Sequence, residues 1–189
     1  DFRRSDERPD AQFYAQPRFV THIDEHAIAA VTRLYREHLP KGGAILDLMS
    51  SWISHLPEDI AYSRVVGLGM NAQELAANAR LTAHVVHDLN ARPTLPFDDA
   101  EFDAVTICVS VDYLTQPVEV LRECGRVVKP GGAIVFHVTN RFLKLAPVVK
   151  KIADSLGLQT ALIVDEAEET SYSKTDWVIV TRDKAFIEN

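Results

Sequence analysis

From Asp24 onward the chain switches between two hydrophobic periods. Ile28, Val31, Leu34, Tyr35 and Leu39 recur at three- and four-residue steps, which places apolar side chains on one face of a helix. Asp24 is positioned to cap that helix, and Pro40-Lys41-Gly42-Gly43 ends it. Short apolar runs then predict five strands, over 44–49, 64–68, 83–87, 102–109 and 133–138. The fourth and fifth are dense in β-branched residues, which suit a pleated, buried surface. Helical patterns fall at 72–80, 117–128 and 142–156. Strands alternating with helices imply parallel strands joined by right-handed crossovers, hence a doubly wound, Rossmann-like α/β sheet.

The last portion breaks that rhythm. Residues 160–164 and 175–181 read as two strands separated only by an acidic loop, 165–172. Too few residues lie between them for a crossover helix, so the pair is expected to form an antiparallel hairpin closing the sheet. The prediction is a seven-stranded, mainly parallel sheet with a C-terminal antiparallel hairpin and helices on both faces. Residues 1–18 are polar, with Pro9 and Pro17, and read as an arm. The domain proper is expected over 24–189, with 1–23 as an N-terminal arm or lid. Phe13, Tyr14, Phe19 and Val20 are too apolar for a purely solvated tail, so packing over a pocket is expected of them.

Composition narrows the chemistry. At 189 residues, with 47% hydrophobic and 25% charged residues, the chain suits one globular domain with a full core. A net charge of -7 with scattered lysines and arginines argues against a nucleic-acid partner, which needs clustered basic residues. No run approaches the ~20 apolar residues of a membrane span. Cys108, inside the apolar run 105–109, reads as a buried free thiol. With no secretory apolar core near the N-terminus, a reducing, cytoplasmic setting is the expectation. The seven histidines show no metal-ligand spacing. Ser50-Ser51 lacks the glycines of a nucleophile elbow, and there is no phosphate-binding G-K-[ST] loop.

Two segments carry a family resemblance. Leu95-Pro96-Phe97-Asp98-Asp99-Ala100-Glu101-Phe102-Asp103 leads into a strand, and Arg126-Val127-Val128-Lys129-Pro130-Gly131-Gly132 is a Pro-Gly-Gly turn launching the next. At this separation the pair resembles the second half of class I S-adenosylmethionine-dependent methyltransferases, in particular the small-molecule "type 11" group. The resemblance implies S-adenosylmethionine as cofactor and a pocket beyond the carboxyl ends of the strands.

Four segments are expected to meet at that pocket. After the first strand, Asp47 holds the family's acidic place, but Met49, Ser51 and Ile53 stand where a G-x-G-x-G loop is usual. The interval from Asp47 to Val65 matches the family's, so the loop is re-lettered, not deleted. Two roles stay open to Ser50 and Ser51: capping a following helix alone, or capping plus ligand contact. After the second strand, Gly69 occupies the place of a ribose-binding carboxylate, with Met70 and Asn71 beside it. Asn71 is either a substitute acceptor or the N-cap of the next helix. After the third strand, Asp88 and Leu89 inherit the positions that read the adenine ring, although Asp88 also suits a turn. After the fourth, Ser110, Asp112 and Tyr113 are expected between cofactor and acceptor, with Tyr113 alternatively covering the sheet edge. Candidate catalytic groups are Asp112, Tyr113 and His137, and further acceptor-side candidates are Tyr14, His22 and Arg141.

The resemblance implies methyl transfer to a small-molecule acceptor. The alternative is a methyltransferase-like binding or scaffolding protein without catalysis, because the three glycines and the ribose carboxylate are absent together. Neither oligomeric state nor acceptor is legible in the sequence.

Overall fold

The computed structural model describes residues 8–139, 144–165 and 175–188. A one-turn helix, α1 (Asp10–Phe13), lies in the arm, followed by α2 (Glu25–His38), β1 (Ala44–Leu48) and β2 (Arg64–Gly69). Then come α3 (Ala72–Ala77), β3 (Ala83–Val86), β4 (Phe102–Ile107), a 3-10 turn (Val111–Tyr113) and α4 (Pro117–Val127). The chain continues through β5 (Val128–His137), α5 (Leu145–Ser155), β6 (Gln159–Asp165), β7 (Thr175–Thr181) and α6 (Ala185–Glu188).

The seven strands form one sheet in the order β3-β2-β1-β4-β5-β7-β6. β1 to β5 pair in parallel, whereas β7 runs antiparallel to both β5 and β6. The expected fold is therefore the observed one. The hairpin closes the sheet by inserting β7 against β5, which leaves β6 as the edge.

Alternation along each strand feeds two cores. Ile45, Val65, Ala104, Val135 and Ile179 face α2, whose Val31, Leu34 and Tyr35 cover them. Leu46, Val66, Val105, Phe136 and Val178 face the other way, under Val120, Leu121 and Cys124 of α4 and Val149 and Ala153 of α5. Asp24 caps α2 as its sequence position predicts, its carboxylate accepting from the Ala27 N–H at 2.8 Å. Among the described residues no helix is long and apolar enough to cross a membrane.

Two local expectations need correction. No helix follows β1: residues 49–63 run to β2 as irregular backbone. Ser50 and Ser51 therefore have no helix to cap. The Pro-Gly-Gly segment is not a turn before β5 but an irregularity inside it. Phe102 pairs with Val128 and Ala104 with Ala133, so Asp103 alone spans 129–132. Asp103 holds this bulge, accepting from Lys129 Nζ at 2.8 Å and from the Ala44 N–H at 2.8 Å, so it joins β4 to β5 and to the start of β1.

Gly132 is required at the bulge, since a Cβ there would lie 2.4 Å from the Asp103 carbonyl oxygen, whereas a Cβ on Gly131 would meet nothing within 4 Å. Gly132→Ala is expected to destabilise the fold by roughly 1–3 kcal/mol, the usual cost of overpacking. Gly131→Ala is expected to stay within about 0.5 kcal/mol of the parent. Denaturant melts of the two variants check this, and equal midpoints would contradict the bulge geometry.

Candidate functional site

The carboxyl ends of β1, β2, β3 and β4 open onto one cavity of about 220 Å³. Parallel strands end together there, and their following loops must diverge, leaving a crevice. Its wall comes from Asp47 to Ser51, from Gly69 to Asn71, from His87 to Asn90 and from Cys108 to Ser110, and its roof from the arm.

The loop after β1 is organised by a buried carboxylate. Asp47, 4% exposed, accepts hydrogen bonds from Ser50 Oγ at 2.6 Å, Ser54 Oγ at 2.7 Å and Thr106 Oγ1 at 3.2 Å. Burial pushes its pKa up to about 6, against the opposing pull of these hydroxyls. The serines thus cap a side chain instead of a helix. Met49 follows at φ +57° and His55 at φ +53°, both left-handed. Met49 stands at the first expected glycine position and keeps the conformation in which glycine costs least. For a residue with a Cβ that conformation costs about 1–2 kcal/mol. Val109, after β4, is left-handed as well, at φ +58°, which is rarer still for a β-branched residue. These three residues line the cavity, whereas Ala100, left-handed at φ +55°, does not.

The same loop leans over the end of β2. The Ser50 N–H donates to the Leu68 carbonyl at 2.8 Å, and the Ser50 carbonyl oxygen sits 2.1 Å from where a Cβ on Gly69 would be. Gly69 is thus demanded by close approach, and no side chain of any kind fits there. Asn71 is the N-cap of α3, its Oδ1 accepting from the Gln73 and Glu74 N–H groups at 2.9 and 3.2 Å. Its Nδ2 donates to the Tyr14 carbonyl at 2.9 Å. Asn71 lines the cavity with its amide already engaged.

Asp88 lines the cavity, and its Oδ1 closes a turn by accepting from the Asn90 and Ala91 N–H groups at 2.9 and 3.0 Å. Leu89 is buried beside it. Asn90 fastens this loop to its neighbours, donating to Asp10 Oδ2 at 2.8 Å and accepting from the Thr115 N–H at 2.7 Å. Ser110 donates to the Cys108 carbonyl at 3.0 Å, and Tyr113 stands half exposed at the rim.

All ten expected cofactor positions, Asp47, Met49, Ser50, Ser51, Gly69, Met70, Asn71, Asp88, Leu89 and Ser110, line the cavity, as do Tyr14, His22 and Tyr113. Asp112 does not; it lies exposed on the 3-10 turn. His137 does not either. Strand alternation turns it to the α2 face, opposite Trp177 in the register, with the ring centroids 4.7 Å apart. Burial there drives its pKa down to about 4. Arg141 lies outside the described residues.

Sequence reasoning missed Glu74, Arg18 and His55 as cavity-lining residues. Glu74 stands three residues after the N-cap Asn71, where an acid ordinarily reads as a capping-box partner. Instead its carboxylate turns inward, with Oε1 accepting from the Arg18 N–H at 2.7 Å and Oε2 from Ser51 Oγ at 2.5 Å. Arm and domain are further joined where Trp52 Nε1 donates to the Val20 carbonyl at 2.9 Å.

The raised pKa of Asp47 has a stability consequence. Its folded value, about 6, lies above the ordinary 3.8. Its contribution to stability is therefore fullest below about pH 4 and is lost as pH rises through 6, by about 3 kcal/mol. Asp47→Asn is expected to gain stability relative to the parent across that window. Paired denaturant melts between pH 4 and 7 check this, and a difference independent of pH would refute it.

Comparison with known proteins adds a likeness of sequence and of fold. Residues 49–136 match the family model described as a methyltransferase domain. The chain is 29% identical over 140 residues to a demethylmenaquinone methyltransferase of Staphylococcus haemolyticus, covering 70% of this chain and 58% of that protein. It is 32% identical over 85 residues to a ubiquinone biosynthesis O-methyltransferase of Sodalis glossinidius, covering 42% and 34%. The chain thus spans less than two thirds of these curated relatives. Among solved structures, a SAM-dependent methyltransferase from Aquifex aeolicus aligns with TM-score 0.58 at 14% identity, covering 83% of this chain and 97% of that one. A TehB-like SAM-dependent methyltransferase from Corynebacterium glutamicum aligns with TM-score 0.59 at 18% identity, covering 92% and 98%. At such identities the likeness is one of fold. Family model, curated relatives and sheet topology agree: the chain is similar to methyltransferases over residues 49–136 and shares the fold of S-adenosylmethionine-dependent methyltransferases.

Proposed function

We propose that this chain binds S-adenosylmethionine in the cavity and catalyses methyl transfer to a small organic acceptor. The observation that carries the reading is the meeting of four sequence-distant segments in one cavity at the carboxyl edge of the sheet. The residues present fit such a ligand: an apolar floor including Leu48 and Leu89, with Asp88 and Glu74 as polar anchors in the wall. Asp88 and the Leu89 backbone would hold the adenine ring, and Ser110 and Tyr113 would border the acceptor. When bound, the cofactor supplies an activated methyl group on sulfur. The chain's own task is then alignment and exclusion of water, which supply much of the rate in such reactions. The arm serves this as a roof, tied down through Trp52, Asn71, Glu74 and Asn90. The two curated relatives carry names from quinone metabolism, which supports a small ring-bearing acceptor over a macromolecule.

A second reading, a binding protein without catalysis, is favoured by one observation. The Ser50 carbonyl fills the space of the missing side chain at Gly69, where the family places a ribose contact.

Titration calorimetry with S-adenosylmethionine separates the two. Binding is expected, and Asp88→Ala is expected to weaken it ten- to a hundredfold, the loss of a charge-assisted hydrogen bond of ~1.5–3 kcal/mol. Absence of binding at millimolar ligand would sink the enzyme reading. Asn71→Ala is expected to lower stability by about 0.5–2 kcal/mol through its lost cap, with little change in affinity. The reverse pattern would make Asn71 a ligand contact.

A further inference from the structure

We propose that His55 is the base that takes the proton from the acceptor, and hence that the acceptor is methylated on a hydroxyl. The proposal rests on the cavity being an S-adenosylmethionine site.

Among the described residues, a few buried side-chain polar atoms lack a hydrogen-bond partner, and the one on the cavity wall is His55 Nδ1. A histidine kept only for packing has its buried nitrogens bonded, because an unpaired one costs stability. The backbone that presents this ring is fixed from both sides. Ser54 is bonded to Asp47 and Asn78, the His55 carbonyl accepts from Thr32 Oγ1 at 3.0 Å, and Leu56 is buried. These anchors hold His55 left-handed at φ +53°, a strain that persists only where the surroundings over-determine it. Thr32 also sets the place of His55 in the crevice. It belongs to α2, which covers Ile45 of β1 and Ala104 of β4, whereas the adenine contacts proposed above follow β3.

Burial lowers the His55 pKa with no charged neighbour opposing it. The ring is therefore neutral at neutral pH and able to accept a proton. Titratable groups that line the cavity from neighbouring segments are less suited to that task. His22 lies exposed on the arm, and His87 Nε2 is bonded to the Arg92 carbonyl at 2.8 Å. Asp47 is held by three hydroxyls, and burial drives the Cys108 thiol up. In the transfer, the acceptor oxygen bonds to the methyl carbon as the carbon–sulfur bond breaks. The hydroxyl proton passes to the imidazole. Positive charge thus leaves the sulfonium and ends on the imidazolium, and a neutral thioether remains.

The test uses the full chain, S-adenosylmethionine and catechol, a small ring-bearing hydroxyl probe. His55→Gly suits the left-handed backbone and is expected to lower kcat about a hundred- to ten-thousandfold. Its KM for catechol and its affinity for S-adenosylhomocysteine are expected to stay within about threefold of the parent, since no binding group for the cofactor is lost. Added imidazole is expected to restore turnover of His55→Gly by about tenfold or more, because it replaces the missing base. His55→Asn, which also tolerates this backbone, is expected to lose as much. Turnover by His55→Gly at the parent's rate, a loss that imidazole does not rescue, or a parent that binds S-adenosylhomocysteine yet leaves catechol unmethylated would overturn the proposal. No binding of S-adenosylhomocysteine by the parent would instead overturn the site assignment beneath it. If neither variant folds, the parent decides: catechol must shift the His55 imidazole resonances of the S-adenosylhomocysteine complex, and unshifted resonances overturn the proposal.

Discussion

The buried carboxylate of Asp47 is the constraint on which the site depends. It sits in β1, next to β4, and reaches both the strand beside it, through Thr106, and the loop that leaves it, through Ser50 and Ser54. Without those hydroxyls it would be an uncompensated buried charge, costing several kcal/mol. The loop is therefore held where the carboxylate needs it, close over β2, although no helix and no glycine run fixes it. Ser54 in turn accepts from Asn78 Nδ2 at 2.8 Å, which extends the network to the end of α3.

That placement has consequences around the cavity. Met49 is driven into a left-handed conformation immediately after β1, and the Ser50 carbonyl comes to lie against Gly69. Ser51 is brought within reach of Glu74, and Glu74 within reach of the arm. Strain at Met49, His55 and Val109 is thus concentrated on the cavity wall. Strain of this kind, of order 1–3 kcal/mol per residue, persists only where the surroundings over-determine it.

The sheet was legible in the sequence because its determinants are local. Dense β-branched runs gave the central strands, and the short acidic gap before Thr175 gave the antiparallel pair. The N-cap at Asp24 was legible for the same reason, whereas Asn71 stood between a cap and a ligand contact until the fold placed it at the start of α3. The site was readable only to the level of which segments meet. Ser50 and Ser51 look like helix caps in sequence, and only the folded chain reveals that their acceptors are Asp47 and Glu74. Glu74 looks like a first-turn acid until the arm and the β1 loop are brought over it. His137 is different. Its alternation with Val135 and Ala133 already points it toward α2, so period-two reading would have removed it from the candidates. The Pro-Gly-Gly segment misleads because a bulge and a turn draw on the same residues.

The most direct test of the Asp47-centred account is the double substitution Ser50→Ala and Ser54→Ala, assayed by thermal melting and by S-adenosylhomocysteine titration on the same preparation. Removing two of the three hydroxyls should leave the carboxylate poorly compensated and free the loop. The account predicts a lower melting temperature at pH 7, a smaller loss at pH 4 where the carboxyl is protonated, and at least tenfold weaker binding. An unchanged melting temperature together with unchanged affinity would contradict it.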